Sequence, residues 1–359
     1  MSYTNKIFGN NSTGNLRFEK DARDLADLLT MDPRSDSNRV YATANLQGET
    51  WTLVLNGQFS AGLEGPKLSR LEGLLASLEV FKNGVLQETT SVSPPTSVPF
   101  YNLGQFVPSL YMGNDRFECS PTANLTDAIN GFDGDDTFIG YGDPTFDWFY
   151  GGNGVDTSVY RGPFREYELT RSRSIWDDRT PDGSPKNYSS PNQTSLMGWQ
   201  ILDEIPGRDG HDQLHETERL IFQDMALALD LDGHAGTVAK VLGAVWGPLA
   251  LQNKSYVGIG LSLLDQQMPY QDLLDLALTA ALGGMRTDAT VVDLLYKNLM
   301  DVSLSPKESE FYVGLLKSGA HTQTSLAQMA ADLDLNLTRI DLVGLAQTGL
   351  AYEPWVNPG

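Results

Sequence analysis

Gly151-Gly152-Asn153-Gly154-Val155-Asp156-Thr157-Ser158-Val159 follows the pattern Gly-Gly-x-Gly-x-Asp-x-U-x, where U is a large apolar residue, except that Ser158 stands at U. Upstream, Gly131-Phe132-Asp133-Gly134-Asp135-Asp136-Thr137-Phe138-Ile139 meets the same pattern with Phe132 in place of the second glycine. Between them, the run from Gly140 ends as a unit should, in Asp147-Trp148-Phe149. Two extra residues precede Asp147 there, so the turn is expected to bulge. Asn124-Leu125-Thr126-Asp127-Ala128-Ile129 and Gly113-Asn114-Asp115-Arg116-Phe117 are degenerate units. Aspartates in repeat phase thus fall at 127, 136, 147 and 156, spaced 9, 11 and 9.

A glycine-rich turn followed by a short strand makes each unit, and two units complete one coil of a parallel β-roll, so alternate units stack on the same edge. Asp136 is expected over Asp156, and Asp127 over Asp147. Glycines accept positive φ and let backbone carbonyls turn inward, while carboxylates from successive coils complete a cage of oxygen ligands. Calcium prefers roughly six to eight such ligands, whereas magnesium needs a tighter octahedron. The candidate metal-holding residues are Asp115, Asp127, Gly131, Asp133, Gly134, Asp136, Gly140, Asp147, Gly151, Asn153, Gly154 and Asp156, with calcium as the ion. Of these, Asp133 has the phase of a turn spacer and should matter less. Ile129, Phe138 and Phe149 are expected to point inward as the core of so narrow a coil.

These units resemble the repeats of the repeats-in-toxin (RTX) calcium-binding proteins. The resemblance implies a protein exported unfolded by the type I secretion machinery through an uncleaved C-terminal signal, which folds on calcium outside the cell. At the start of the chain, Met1-Ser2-Tyr3-Thr4-Asn5-Lys6-Ile7-Phe8 has no basic stretch followed by an apolar run, so no Sec-type signal is expected. Downstream, Tyr167-Glu168-Leu169 and the run from Gly210 through Glu218-Arg219-Leu220-Ile221-Phe222 to Asp224 resemble the β cap that follows such repeats. Asp230-Leu231-Asp232-Gly233-His234-Ala235-Gly236 then leads into a region similar to a helical domain of unassigned function. That domain is found behind RTX repeats in secreted and surface-layer-associated bacterial proteins.

The rest of the chain is organised around this block. Its 359 residues suffice for two or three domains. The expected architecture is multidomain α+β: an N-terminal β-rich domain over 1–110, a short parallel β-roll over 111–160, a β cap over 161–234 and a C-terminal all-α bundle over 235–359. Alternating runs such as Trp51-Thr52-Leu53-Val54-Leu55 and Ser77-Leu78-Glu79-Val80-Phe81-Lys82 predict strands. A helical piece is expected over 68–75, and a loop over the Ser-, Thr- and Pro-rich residues 91–99. Asp21, Asp24 and Asp27 fit one solvated helical face. Past residue 235, Val238, Val241, Leu242, Val245 and Leu249 recur at helical spacing, as do Val291, Leu294, Leu295 and Leu299. Ser305-Pro306-Lys307-Glu308 is a capping box, and Pro269 marks another helix start. Five or six helices are expected, broken at Gly283-Gly284, Gly319 and Gly349.

Acidic residues outnumber basic ones 46 to 25, and the formal charge of -21 argues against nucleic acid or anionic membrane as a direct partner. A cation is the natural counterpart. Residues 111–160 alone carry nine carboxylates against one base, Arg116. No transmembrane segment is expected. The lone Cys119 excludes an intrachain disulfide and has no nearby histidine to activate it. Residues 177–193 are expected to form an exposed loop, in which Tyr188 beside Asn187 and Ser189 suits a surface glycan, lipopolysaccharide or surface protein.

The expected function is a secreted calcium-binding protein serving as a cell-surface or vesicle-associated binding module. A calcium-dependent subunit of a surface layer or matrix is the alternative. A zinc hydrolase is the enzyme reading, because His211-Asp212-Gln213-Leu214-His215 is one methylene from His-Glu-x-x-His. That motif needs a helix, and the flanking residues predict turn and strand. His234 and His321 stand in no motif and are expected to be solvated. No catalytic residues are assigned.

Overall fold

The computed structural model describes residues 2–7, 30–46, 48–64, 67–99, 113–118, 128–140, 146–172 and 198–355. They divide into two compact units, one drawn from 1–217 with 221–223, the other from 218–220 with 224–359. The chain is multidomain α+β, β-rich toward the N-terminus and helical toward the C-terminus.

The first unit opens with strands β1 (Ser2–Ile7), β2 (Thr30–Met31), β3 (Arg39–Leu46), β4 (Glu49–Glu64), β5 (Lys67–Lys82) and β6 (Val85–Pro99), all paired antiparallel to one another. Period-two burial drives this: Val40, Ala42 and Ala44 on β3, Trp51, Leu53 and Leu55 on β4, and Leu78 and Val80 on β5 are buried. Residues 68–75 belong to β5 and are not helical. Their leucine spacing suits a helix turn, but β4 and β6 flank them and supply ladder partners, with Gly73 opposite both Phe59 and Val98. Residues 91–99 are likewise strand, not loop. The ladder from β5 passes from Ser77↔Ser91 directly to Leu75↔Thr96, so Pro94 and Pro95 fall in the skipped segment, where no amide donor is required.

Next come β7 (Asn114–Glu118), β8 (Ala128–Asp133), β9 (Thr137–Ile139), β10 (Phe146–Asn153) and β11 (Thr157–Val159). Their pairings alternate. β7, β9 and β11 run parallel in one sheet, and β8 and β10 run parallel in another. The second sheet continues through β14 (His211–His215), parallel to β10, and is completed by β12 (Tyr167–Ser172) and β13 (Gly198–Asp203), both antiparallel. In register on one sheet lie Phe117, Phe138 and Ser158, and on the other Ile129, Phe149 and Leu214. All six are buried, and the Phe138 ring stacks on Phe117 at 5.3 Å and on Phe149 at 5.1 Å. The inward direction expected of Ile129, Phe138 and Phe149 is therefore found.

Ser158 is the weak point of this core. Its hydroxyl is buried without a hydrogen-bond partner among the described residues, at the place where the repeat pattern wants an apolar side chain. Ser158→Val should raise stability by about 1 kcal/mol, read as a shift in the denaturant midpoint. A loss of stability would show that the position has no room for its pattern residue.

The second unit holds Arg219 and Leu220 of β15 (Arg219–Ile221), and β16 (Ala226–Ala228) paired antiparallel with β17 (Leu350–Tyr352). Its helices are α1 (His234–Trp246), α2 (Lys254–Asp265), α3 (Tyr270–Leu282), α4 (Asp288–Met300), α5 (Pro306–Lys317), α6 (Gln323–Ala331), α7 (Asp334–Arg339) and α8 (Leu342–Thr348). α1 is the hub, burying Val238, Val241, Leu242 and Val245 and packing against α2, α3, α4, α6 and α7. The Ser305–Glu308 capping box forms as expected, and Pro269 immediately precedes α3. Among the described residues, eight helices exceed the five or six expected, because several stops lack glycine: Asp301 at φ 58° closes α4 and Asp341 at φ 52° caps α8.

Among the described residues, no helix is long and apolar enough to cross a membrane. His234 is not simply solvated. Its Nδ1 lies 2.7 Å from Asp265 Oδ1, a carboxylate that also accepts from the buried Arg219 at 2.8 Å.

Candidate metal centre

Three turns lie one above another at Asp115, Asp136 and Asp156. The Asp115 N–H donates to Asp136 Oδ1 at 2.8 Å, and the Asp136 N–H donates to Asp156 Oδ1 at 2.8 Å. Backbone bonds hold the same register: Thr157 N–H to the Asp136 carbonyl and Gly134 N–H to the Asn153 carbonyl, both 2.8 Å. The parallel pairing of β9 with β11 thus places Asp136 over Asp156, as the spacing requires. The three carboxyl groups are 3%, 1% and 0% exposed, an unusual degree of burial for aspartate.

Glycine makes room for their oxygens. A side chain at Gly131 would overlap Asp136 Oδ2 and come within 2.6 Å of the Gly151 carbonyl oxygen. A side chain at Gly151 would overlap both Asp156 Oδ2 and the Glu216 carbonyl oxygen. Over each of these glycines, therefore, one carboxylate and one carbonyl oxygen converge. Asp136 Oδ2 is buried and has no hydrogen-bond partner among the described residues.

Hard, anionic and carbonyl oxygens of this kind suit calcium rather than zinc. Among the described residues no three Asp, Glu, His or Cys side chains are placed to hold one ion.

Burial pushes the Asp136 carboxyl from 3.8 up to about 9, reinforced by the charges of Asp156, Asp115 and Asp135 and opposed by the N–H it accepts from Asp115. In the metal-free protein it therefore keeps a proton that the unfolded chain has released. The folded state then binds more protons, so metal-free stability falls as pH rises from about 4 to about 9. A divalent cation must displace that proton. Calcium binding at pH 7 should release about one proton per ion, read as a dependence of calorimetric heat on buffer ionisation enthalpy, and affinity should rise with pH. Heats independent of the buffer would contradict it.

The remaining candidates sort by position. Asp133 and Asn153 lie at the ends of β8 and β10, joined by Asn153 Nδ2 donating to Asp133 Oδ1 at 2.7 Å on the outer side. Gly134 and Gly154 form the corners beside them. Asp135, not expected to take part, accepts from Val155 N–H at 2.9 Å and so also ties coil to coil. Gly140 is buried after β9, and Asp147 is buried on β10. Asp127, Cys119, Asp21, Asp24, Asp27 and the 177–193 loop lie outside the described residues.

Asp147 is paired in register with Asp212 of β14, and both are buried. Asp212 was not among the expected residues. Its signal was present nonetheless, since Gly210-His211-Asp212-Gln213-Leu214 repeats the Gly-x-Asp-x-U half of the pattern. Tyr160 shares this environment, and burial together with the Asp212 carboxylate holds its phenol well above the usual range, hence protonated.

His211 and His215 do not form a zinc pair of the helical kind. They lie on β14, where four residues of strand separate them by about 13 Å along the chain direction. Instead, the His215 ring stacks on Tyr150 at 4.7 Å. The nearby cluster of Arg161, Tyr167, Asp203, Arg208 and Asp209 is self-satisfied: Arg208 donates to Asp203 at 2.6 and 2.8 Å, and Arg161 to Asp209 at 2.6 Å. It braces the turn that leads into β14.

Neither the family models searched nor the curated proteins give any match to this chain.

Proposed function

We propose that the chain is a calcium-binding protein whose repeat segment, residues 113–159 with β14, is an RTX-type parallel β-roll that folds on calcium outside the cell. One observation carries this: the buried Asp136 carboxylate, stacked between Asp115 and Asp156, with an oxygen that has no hydrogen-bond partner among the described residues and lies over Gly131 beside the Gly151 carbonyl. A carboxyl buried in this way keeps its proton unless a cation replaces it, and carboxylate with carbonyl oxygen suits a hard divalent ion. Asp136 and the Gly151 carbonyl would hold that ion, which supplies charge neutralisation and no redox chemistry. The resemblance to RTX repeats extends the reading to type I secretion and to a binding role at a cell surface or on vesicles, toward a glycan, lipopolysaccharide or surface protein.

Circular dichroism of the full chain in chelator and then in millimolar calcium tests the folding step. A gain of β signal with calcium but not with equal magnesium is expected, and superimposable spectra would refute it. Sedimentation of the calcium-loaded chain with outer-membrane vesicles, lost on chelation, is the expected sign of the surface role.

A further inference from the structure

The roll does not end where its contiguous repeats end. After β11 the chain leaves for a long excursion and returns at His211, and β14 then lies parallel to β10 with Phe149 opposite Leu214 and Tyr150 opposite His215. Immediately after β14, Glu216 takes a φ of 48°, so the chain turns through the left-handed region one register position before the place where Gly152 (105°) and Phe132 (71°) do so on β10 and β8. Residues 211–217 thus form the turn and strand of a further coil, though their sequence has no glycine at that turn.

The oxygen geometry repeats as well. Over Gly131 converge Asp136 Oδ2 and the Gly151 carbonyl; over Gly151 converge Asp156 Oδ2 and the Glu216 carbonyl. The upper layer copies the lower one, with Glu216 in the part played by Gly151. At the other end of β14, Asp212 is the register partner of Asp147, and both are buried.

We propose that residues 211–217 are a calcium-dependent clasp, in which the Glu216 carbonyl joins Asp156 in a second ion layer and Asp212 joins Asp147, so that calcium fastens the returning chain to the roll. This rests on the calcium reading above. It adds a distinct claim: the metal closes a segment remote in sequence from the repeats. Without calcium, β14 keeps its backbone ladder to β10 and β13 but loses the bridge at its turn, so opening of 211–217 is the motion the ion controls.

Hydrogen exchange of the full chain, in calcium and in chelator, tests it. Calcium should slow exchange across 211–217 by roughly tenfold or more, alongside the slowing in 131–139. Asp156→Asn keeps the Oδ1 acceptor for the Asp136 N–H and should abolish the calcium response of 211–217 while leaving that of 131–139. Asp136→Asn should weaken the response of 131–139 first. If 131–139 responds to calcium in the wild-type chain and 211–217 does not, the clasp is wrong and the calcium reading stands. If Asp156→Asn leaves the response of 211–217 intact, the clasp is also wrong. If neither segment responds, both fall.

Discussion

Chelating calcium should lower the thermal transition of the β-rich unit by about 5–10 °C for each ion lost and leave that of the helical unit in place. The size follows from linkage. With free calcium about a hundredfold above its dissociation constant, each ion bound only by the folded state contributes ~2.7 kcal/mol. The molecular reason is Asp136, almost wholly excluded from water, whose carboxyl burial keeps protonated until a cation meets it. Scanning calorimetry in chelator and in calcium reads both transitions, and equal midpoints for the β-rich unit in the two conditions would contradict the expectation.

Gly152→Ala should cost at least about 3 kcal/mol, the largest single-residue effect expected outside the carboxylates. Two penalties combine at this position. Gly152 has a φ of 105°, and an added Cβ would overlap the carbonyl oxygen of Phe132, its register partner on β8. That oxygen belongs to the backbone of a parallel neighbour and cannot swing aside as a side chain would. Gly207 provides the control: its φ is 76°, with nothing within 4 Å of a would-be Cβ, so Gly207→Ala should cost only about 1 kcal/mol. Chemical denaturation of the two variants checks the contrast, and equal costs would mean that the coils are not packed as closely as the register implies.

The repeat block was the most legible part of the sequence, for a physical reason. Asp at one position and an apolar residue two later share one face of a strand, so Asp136-x-Phe138, Asp147-x-Phe149 and Asp115-x-Phe117 declare both the buried face and the candidate ligands locally. Asp212-x-Leu214 obeys the same rule yet was missed, because the long excursion after β11 breaks the spacing that made the other units visible. Residues 68–75 misled for the opposite reason: leucines three and four apart suit either period, and only the ladders to β4 and β6, which are non-local, decide in favour of strand. In the helical unit the stripes on α1 and α4 were plain. The additional helices arise at Asp301 and Asp341, whose left-handed conformations break the helical path where the sequence has no glycine to mark a stop.

Phe132 shows how a unit can lose one glycine of the pattern and keep its geometry. It holds a φ of 71° where the better unit has Gly152, a conformation that costs a non-glycine residue roughly 1–2 kcal/mol. Such strain persists only where surrounding contacts impose it. The ladder from Gly152 and Asn153 supplies them.

Calcium binding through the aspartate column is tested most directly by titration calorimetry on three chains: wild type, Asp136→Asn and Asp133→Asn. Both substitutions preserve the hydrogen-bond acceptor that each residue offers, so neither should unfold the protein. The wild-type chain should bind calcium, Asp133→Asn should bind it with nearly the same affinity, and Asp136→Asn should lose a site or weaken roughly tenfold or more. No calcium heat in the wild type, or indistinguishable isotherms for all three, would contradict the column as the metal centre.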